Sequence, residues 1–175
     1  MVFGSQNYDA HEQVAFFHDA ESGLKAVIAI HSTAMGPAAG GCRMWPYATE
    51  EQAVTDVLRL SRGMSFKNAM AGLSFGGGKS VIIGDSRRDK TEALLRAFGR
   101  AVDSLGGRYI TAEDVGISEA DVEVLAEETK FAIGRKQVGA AAGGNPAPKT
   151  AFGVFQGMRA AIELKLGRKD FEGLT

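Results

Sequence analysis

The sequence predicts an α/β fold, three layers deep, with a largely parallel sheet flanked by helices. Two observations carry that prediction. Short apolar, β-branched runs alternate along the chain with segments whose apolar residues recur at helical spacing, which is the pattern of strand–helix–strand units. The 23 glycines also cluster, in GPAAGG (36–41), FGGGK (75–79), GG (106–107) and GAAAGGN (139–145), mostly where one segment gives way to the next. Ligands of open α/β sheets bind beside strand ends, where glycine lets backbone approach closely, so the clusters point toward a site. Tight turns are the plain alternative.

The elements follow in order. LKAVIAIH (24–31) is a short buried-strand run. Thr49 and Gln52 form a capping-box pattern ahead of Val54, Val57, Leu58 and Ser61, so a helix runs from about Thr49 into the 60s. SVIIG (80–84) is a second strand, closed by the turn-like DSRRD. Asp89 and Glu92 suggest the next helix start, with Leu94, Phe98, Val102 and Leu105 as its core stripe and Gly106–Gly107 as its stop. A third strand spans Arg108–Thr111, and Ser118 opens a short helix through about Glu127. After a loop at 134–148, Phe155, Met158, Ile162 and Leu166 mark a last helix ending near Gly167, with its Phe and Met residues expected in the core.

Composition narrows the function classes. At 175 residues and 45% apolar content the chain can bury a core of its own as one domain. A net charge of -1, with both signs interspersed, offers no field for nucleic acid or an anionic membrane. The N-terminus lacks a secretory pattern and no apolar run spans a bilayer, so the expected location is cytoplasmic. One cysteine, Cys42, excludes an internal disulfide and reads as a small buried thiol. His11, His18 and His31 lack metal-ligand spacing, and no metal is expected. Trp45 reads as ordinary packing, with a subunit or domain contact as its other reading.

Gly76-Gly77-Gly78-Lys79-Ser80 invites a phosphate-loop reading and fails it. The first glycine of that motif would fall on Leu73, and the lysine opens the apolar run Val81-Ile82-Ile83 rather than a helix. What remains is a lysine at a strand start after three glycines, which by itself could be a surface turn residue. Lys67, among apolar and small residues in MSFKNAMAGL, and Asp114, after the strand in YITAEDVG, could converge with it on one cleft.

SGLKAVIAIH (22–31), GPAAGGCRMW (36–45), MSFKNAMAGLSFGGGKSVIIGD (64–85), YITAEDVG (109–116) and GNPAPKTAFGV (144–154) stand in order over nearly the whole chain. Together they resemble the N-terminal domain of the glutamate/leucine/phenylalanine/valine dehydrogenase family, most of all its leucine dehydrogenase branch. That domain binds substrate and carries subunit contacts, so the resemblance implies a homo-oligomer. It implies that Lys67 pairs with the α-carboxylate of an amino acid, that Lys79 is the catalytic lysine activating water, and that Asp114 handles protons on the substrate nitrogen. Gly40 and Gly41 match the glycines whose backbone lines the substrate; Arg43, Asn145 and Thr150 fall in segments facing the cofactor. The implied reaction is oxidative deamination: hydride leaves the α-carbon for a nicotinamide, water adds to the imine, and ammonia departs. The residue types suit it. A carboxylate leaving water needs a fixed cation, and water addition near neutral pH needs a lysine whose pKa is depressed by burial or a neighbouring cation.

Glutamate-specific members place a lysine where this chain has Ala39, so the resemblance implies an apolar substrate, since a buried glutamate carboxylate would stand unpaired. Leucine-type members carry leucine there; Ala39, with Met64 and Ala112 as further walls, leaves leucine, valine and phenylalanine open. One methylene discriminates by only ~1–3 kcal/mol in such pockets. The chain ends at FEGLT (171–175) without a strand–Gly-x-Gly-x-x-Gly–helix unit. NAD or NADP is therefore expected to be held mainly by a C-terminal dinucleotide-binding domain absent from this chain, and the 175 residues alone are expected to transfer no hydride. Two rival readings are a non-catalytic amino-acid-binding module and a structural assembly domain.

Overall fold

Among the described residues, four of five strands point one way and β2 is reversed. The strands are β1 (Gln13–Asp19), β2 (Leu24–Ser32), β3 (Ala38–Trp45), β4 (Gly76–Ile83) and β5 (Tyr109–Ala112), in the order β1-β2-β4-β3-β5. β2 pairs antiparallel with β1 and β4, whereas β3 pairs parallel with β4 and β5. These coordinates are a computed structural model that describes residues 2–135, 144 and 146–174. The chain divides into two units, residues 1–143 and 144–175.

Strand alternation sorts the first unit into the three layers expected from the sequence. Helix α1 (Glu50–Met70) lays Ala53, Val57 and Leu58 on Val27, Ala29 and Val81 on one face of the sheet. On the other face, α2 (Glu92–Asp103) and α3 (Glu119–Leu125) pack Leu94, Leu95, Phe98 and Val122 against Ile28, Ile30, Met44 and Ile82. Thr49 caps α1 by accepting from the Gln52 N–H at 3.2 Å, and the Gln52 side chain accepts from Ala48 at 3.1 Å. The reciprocal pair is thus present, shifted by one residue. Thr91, not Asp89, caps α2; Asp89 instead accepts from the Asp85 N–H at 2.8 Å inside the preceding turn.

Two strands carry no clear signal in the sequence, and one starts earlier than expected. β1 is an edge strand with little apolar alternation, and β3 hides inside the GPAAGG cluster. β4 begins at Gly76 rather than Ser80, so Lys79 lies within the strand and its three glycines are strand residues. Packing explains them. A Cβ on Gly77 would stand 2.0 Å from Ser65 Oγ and 2.6 Å from the Ser61 carbonyl of α1, and one on Gly78 would stand 2.7 Å from the Tyr109 ring. Helix and tyrosine press on the two faces of the same strand, and only glycine leaves room for both.

The second unit is α4 (Ala147–Leu166), which stops at Gly167 in the left-handed conformation (φ 66°). The Phe155 and Phe171 rings stack at 5.4 Å. Contrary to the expectation of a core stripe, no described α4 residue is buried; Phe155 is 48% and Met158 50% exposed. A lone helix with a short tail cannot enclose its own apolar side. Among the described residues, no helix is long and apolar enough to cross a membrane.

Candidate active site

Alternation along β4 decides which residues reach the site. Ser80 and Ile82 point to the α2 face, where the Ser80 hydroxyl meets the Tyr109 hydroxyl at 2.9 Å. Val81 and Lys79 point to the α1 face. Lys79 is only 6% exposed, and a buried ammonium needs a partner. Asp114 supplies it: Lys79 Nζ lies 2.9 Å from Asp114 Oδ2. Two positions along β3 from Gly41, Arg43 Nε donates to the same oxygen at 3.0 Å.

The loop after β5 is shaped to hold Asp114 there. Met44 donates to the Val115 carbonyl at 2.9 Å, and Ile117 to that of Asp114 at 2.9 Å. Gly116 takes φ 82°, and a Cβ there would stand 2.4 Å from the Met44 carbonyl. Lys90 clamps the far side, donating to the Gly116 carbonyl (3.0 Å) and to Asp121 Oδ2 (2.6 Å). Burial would raise the Asp114 carboxyl, but Lys79 and then Arg43 outweigh it and hold the group below the usual carboxylate range. Burial likewise works against the charge on Arg43, and Asp114 and Asp56 more than offset it.

Gly40 and Gly41 are buried beside this pair. The β3–β4 register runs through Ala39↔Gly77 and resumes at Cys42↔Ser80, skipping Gly40–Gly41 opposite Gly78–Lys79. A Cβ on Gly41 would lie 2.9 Å from Asp114 Cβ, and one on Gly40 3.2 Å from Met64 Cγ of α1. Asn68, also on α1, donates to the Ala39 carbonyl (3.4 Å) and the Gly76 carbonyl (2.7 Å), tying the helix end across both strands. Ala39 is buried; Met64 and Ala112 are partly buried.

Of the residues singled out in the sequence, Lys79, Asp114, Arg43 and the two glycines therefore come together. Lys67 lies in the last turn of α1, next to Asn68, exposed and without a hydrogen bond or ion pair to its ammonium among the described residues. Arg43 spends its guanidinium on two carboxylates. Thr150 belongs to the second unit, and Asn145 lies outside the described residues. Trp45 is half-exposed and lines a cleft of about 790 Å³ with Arg43, Tyr47, Asp56, Arg59 and Val115.

The sequence gives no hint of Asp56 or Tyr47. Arg43 Nη1 donates to Asp56 Oδ2 at 2.9 Å, and the Tyr47 hydroxyl donates to the same oxygen at 2.6 Å. Cys42 is fully buried on the opposite face, where burial pushes its thiol up to about 12, in keeping with an inert cysteine. The His11 and His31 rings, 20 positions apart in sequence, lie 4.9 Å apart. Among the described residues no three His, Cys, Asp or Glu side chains are grouped to hold a metal.

Fold and site together define a three-layer α/β domain in which a strand-borne lysine is paired with a loop carboxylate beside packed glycines. Residues 11–131 match the family model described as Glu/Leu/Phe/Val dehydrogenase, dimerisation domain, and the chain belongs to that family. It is 56% identical over 169 residues to leucine dehydrogenase of Geobacillus stearothermophilus, covering 96% of this chain and 45% of that protein. Valine dehydrogenase of Streptomyces virginiae is 61% identical over 163 residues, with 93% and 45% covered. Among solved structures it is similar to L-tryptophan dehydrogenase from Nostoc punctiforme, with a TM-score of 0.71, 48% identity, and 94% and 45% covered. The chain spans about half the length of the curated relatives it matches.

Proposed function

We propose that this chain is the substrate-binding and catalytic part of an enzyme that oxidatively deaminates an apolar L-amino acid of the leucine, valine or phenylalanine type. The observation that carries the reading is the recessed Lys79 Nζ–Asp114 Oδ2 contact of 2.9 Å beside Gly40–Gly41. Lys79, Arg43, Asp56 and Asp114 carry +1, +1, -1 and -1, a sum of zero, so a zwitterionic amino acid can enter without meeting a net charge. Lys67, whose ammonium is unpaired among the described residues, is the cation left for its α-carboxylate. Asp114 accepts a proton from the substrate nitrogen. Once Asp114 has released that proton to water, Lys79, 2.9 Å away, passes its own proton to the carboxylate and takes one from the water that adds to the imine carbon, and Asp114 hands its proton to the departing nitrogen.

A nicotinamide cofactor, NAD or NADP, supplies the hydride acceptor when bound. Arg43 on the wall of the 790 Å³ cleft fits a polar contact with it, and Thr150 and Asn145 are further candidates by resemblance. Most of the cofactor's binding surface is assigned to a dinucleotide-binding domain outside residues 1–175. Assembly as a homo-oligomer and a cytoplasmic location complete the reading.

The test is nicotinamide reduction by the complete polypeptide carrying residues 1–175, with leucine, valine, phenylalanine and glutamate compared at limiting concentration. The expected order places all three apolar substrates above glutamate. Preference for glutamate would overturn the reading of Ala39, and no turnover of any amino acid would overturn the enzyme itself.

A further inference from the structure

Tyr47, Asp56, Arg43, Asp114 and Lys79 form one unbroken run of side chains from the cleft to the recessed lysine. They come from β3 and the segment after it, α1, the loop after β5, and β4. Tyr47 and Arg43 both donate to Asp56 Oδ2, at 2.6 and 2.9 Å, while Arg43 and Lys79 both donate to Asp114 Oδ2, at 3.0 and 2.9 Å. Arg43 is the hinge of the run. Its guanidinium is rigid and planar, so fixing Nη1 fixes the direction in which Nε points. Asp56 fixes Nη1, and it is itself fixed by the tyrosine hydroxyl and by a place on α1 next to fully buried Val57. Among the described residues, Asp114 Oδ1 accepts no hydrogen bond, so both cations converge on one carboxylate oxygen and leave the other open.

We propose that Asp56, held by Tyr47, is a positioning residue: it aims Arg43 so that Arg43 and Lys79 share Asp114 Oδ2 and Oδ1 is left to the substrate nitrogen. The catalytic meaning of that arrangement rests on the role given to Asp114 above; the arrangement itself does not. Two plainer roles for Asp56 predict different results. As a bare negative charge near Asp114 it would make that carboxyl harder to ionise, so its removal would lower the Asp114 pKa. As a packing group it would leave Asp114 unaffected and change only stability. As a positioning residue its loss frees Arg43 to swing away, and the Asp114 pKa rises.

The experiment titrates the Asp114 carboxyl by carbon-13 NMR in residues 1–175, comparing the parent with Arg43→Met, Asp56→Ala, Asp56→Asn and Tyr47→Phe. Arg43→Met is expected to give the largest upward shift. Asp56→Ala should shift in the same direction by a smaller amount, and Tyr47→Phe by less again. Asp56→Asn, whose amide oxygen still accepts from both donors, should show no upward shift, leaving Asp114 at or below the parent value, and guards against misfolding of the alanine variant. A downward shift in Asp56→Ala, or an unmoved Asp114 with a lowered melting temperature, would overturn the inference. In the complete polypeptide, Asp56→Ala is expected to lower kcat ~10–100-fold with KM for the amino acid little changed, because misorientation acts on the reacting geometry. Lys79→Ala separates the two claims. Full turnover in that variant removes the catalytic reading, whereas indifference of the Asp114 titration to Asp56→Ala removes the positioning role alone.

Discussion

Arg43 and Arg96 each gather more than one carboxylate, Arg43 in a recess of the sheet and Arg96 on the outside of α2. Arg96 donates to Glu92 at 2.9 Å and to Glu128 at 3.1 Å, and also binds Glu127. Those contacts hold its guanidinium above the usual arginine range, Glu127 contributing most. Glu92 and Glu127 are more than half exposed, so water screens the group. With Arg100 3.8 Å from Glu128, two arginines face three glutamates, a surplus of one negative charge, and Arg96 ties α2 to the end of α3. The Arg43 group balances to zero, is three-quarters buried or nearly so, and ends on a lysine inside a strand. Counting charges around an arginine does not find a site. Convergence on one shielded oxygen next to glycine backbone is what sets the proposed site apart.

Breaking the recessed group should cost activity first, and breaking the exposed one should cost little of anything. Lys79→Ala is expected to lower turnover of the complete polypeptide by ~10³-fold or more, with far-ultraviolet circular dichroism unchanged; steady-state nicotinamide reduction measures it. Asp114→Asn should follow, at ~10²-fold. The same variant sharpens the comparison in acid. Because the folded Asp114 carboxyl ionises below its unfolded counterpart, its contribution to stability is complete above the unfolded value near ~3.9. It is lost as pH falls through the lower folded value. Urea unfolding between pH 7 and pH 3 should therefore show the stability gap between parent and Asp114→Asn narrowing toward acid.

Gly77→Ala attacks the recess by shape instead of charge. Its new methyl would meet Ser65 and Ser61 of α1, and overpacking of this kind costs about 1–3 kcal/mol, to be read from the denaturation midpoint. The smallest effect is expected from Arg96→Ala, with turnover unchanged and a melting temperature within ~3 °C of the parent. A larger loss of turnover there than in Asp114→Asn would reverse the comparison.

What the sequence made legible follows from the range of the interactions involved. Helix caps and stripes are local, so α1, α2 and α3 are readable from Thr49, the Leu94–Phe98–Val102 spacing and Ser118. Lys79 and Asp114 stand out because motifs in fixed order surround them; the two are in contact, while Lys67, expected to converge with them, is exposed in the last turn of α1. β1 and β3 are hidden for physical reasons: an edge strand needs little apolar alternation, and Gly40–Gly41 resemble a turn until a neighbouring strand fills the space a side chain would have taken. Asp56 stands 13 positions from Arg43 and 58 from Asp114, on a helix face where an isolated acid reads as solvated. Only the tertiary fold reveals that the solvent face of α1 ends in a cleft.

The fully buried thiol of Cys42 gives the molecule a built-in seal. It sits under the layer that carries Arg43 and Gly41, on the α2 side of β3, so no thiol reagent can reach it while β3, α2 and α3 stay closed together. Its rate of modification in native buffer thus counts openings of this half of the sheet, and with one cysteine in the sequence no second thiol reacts in the background.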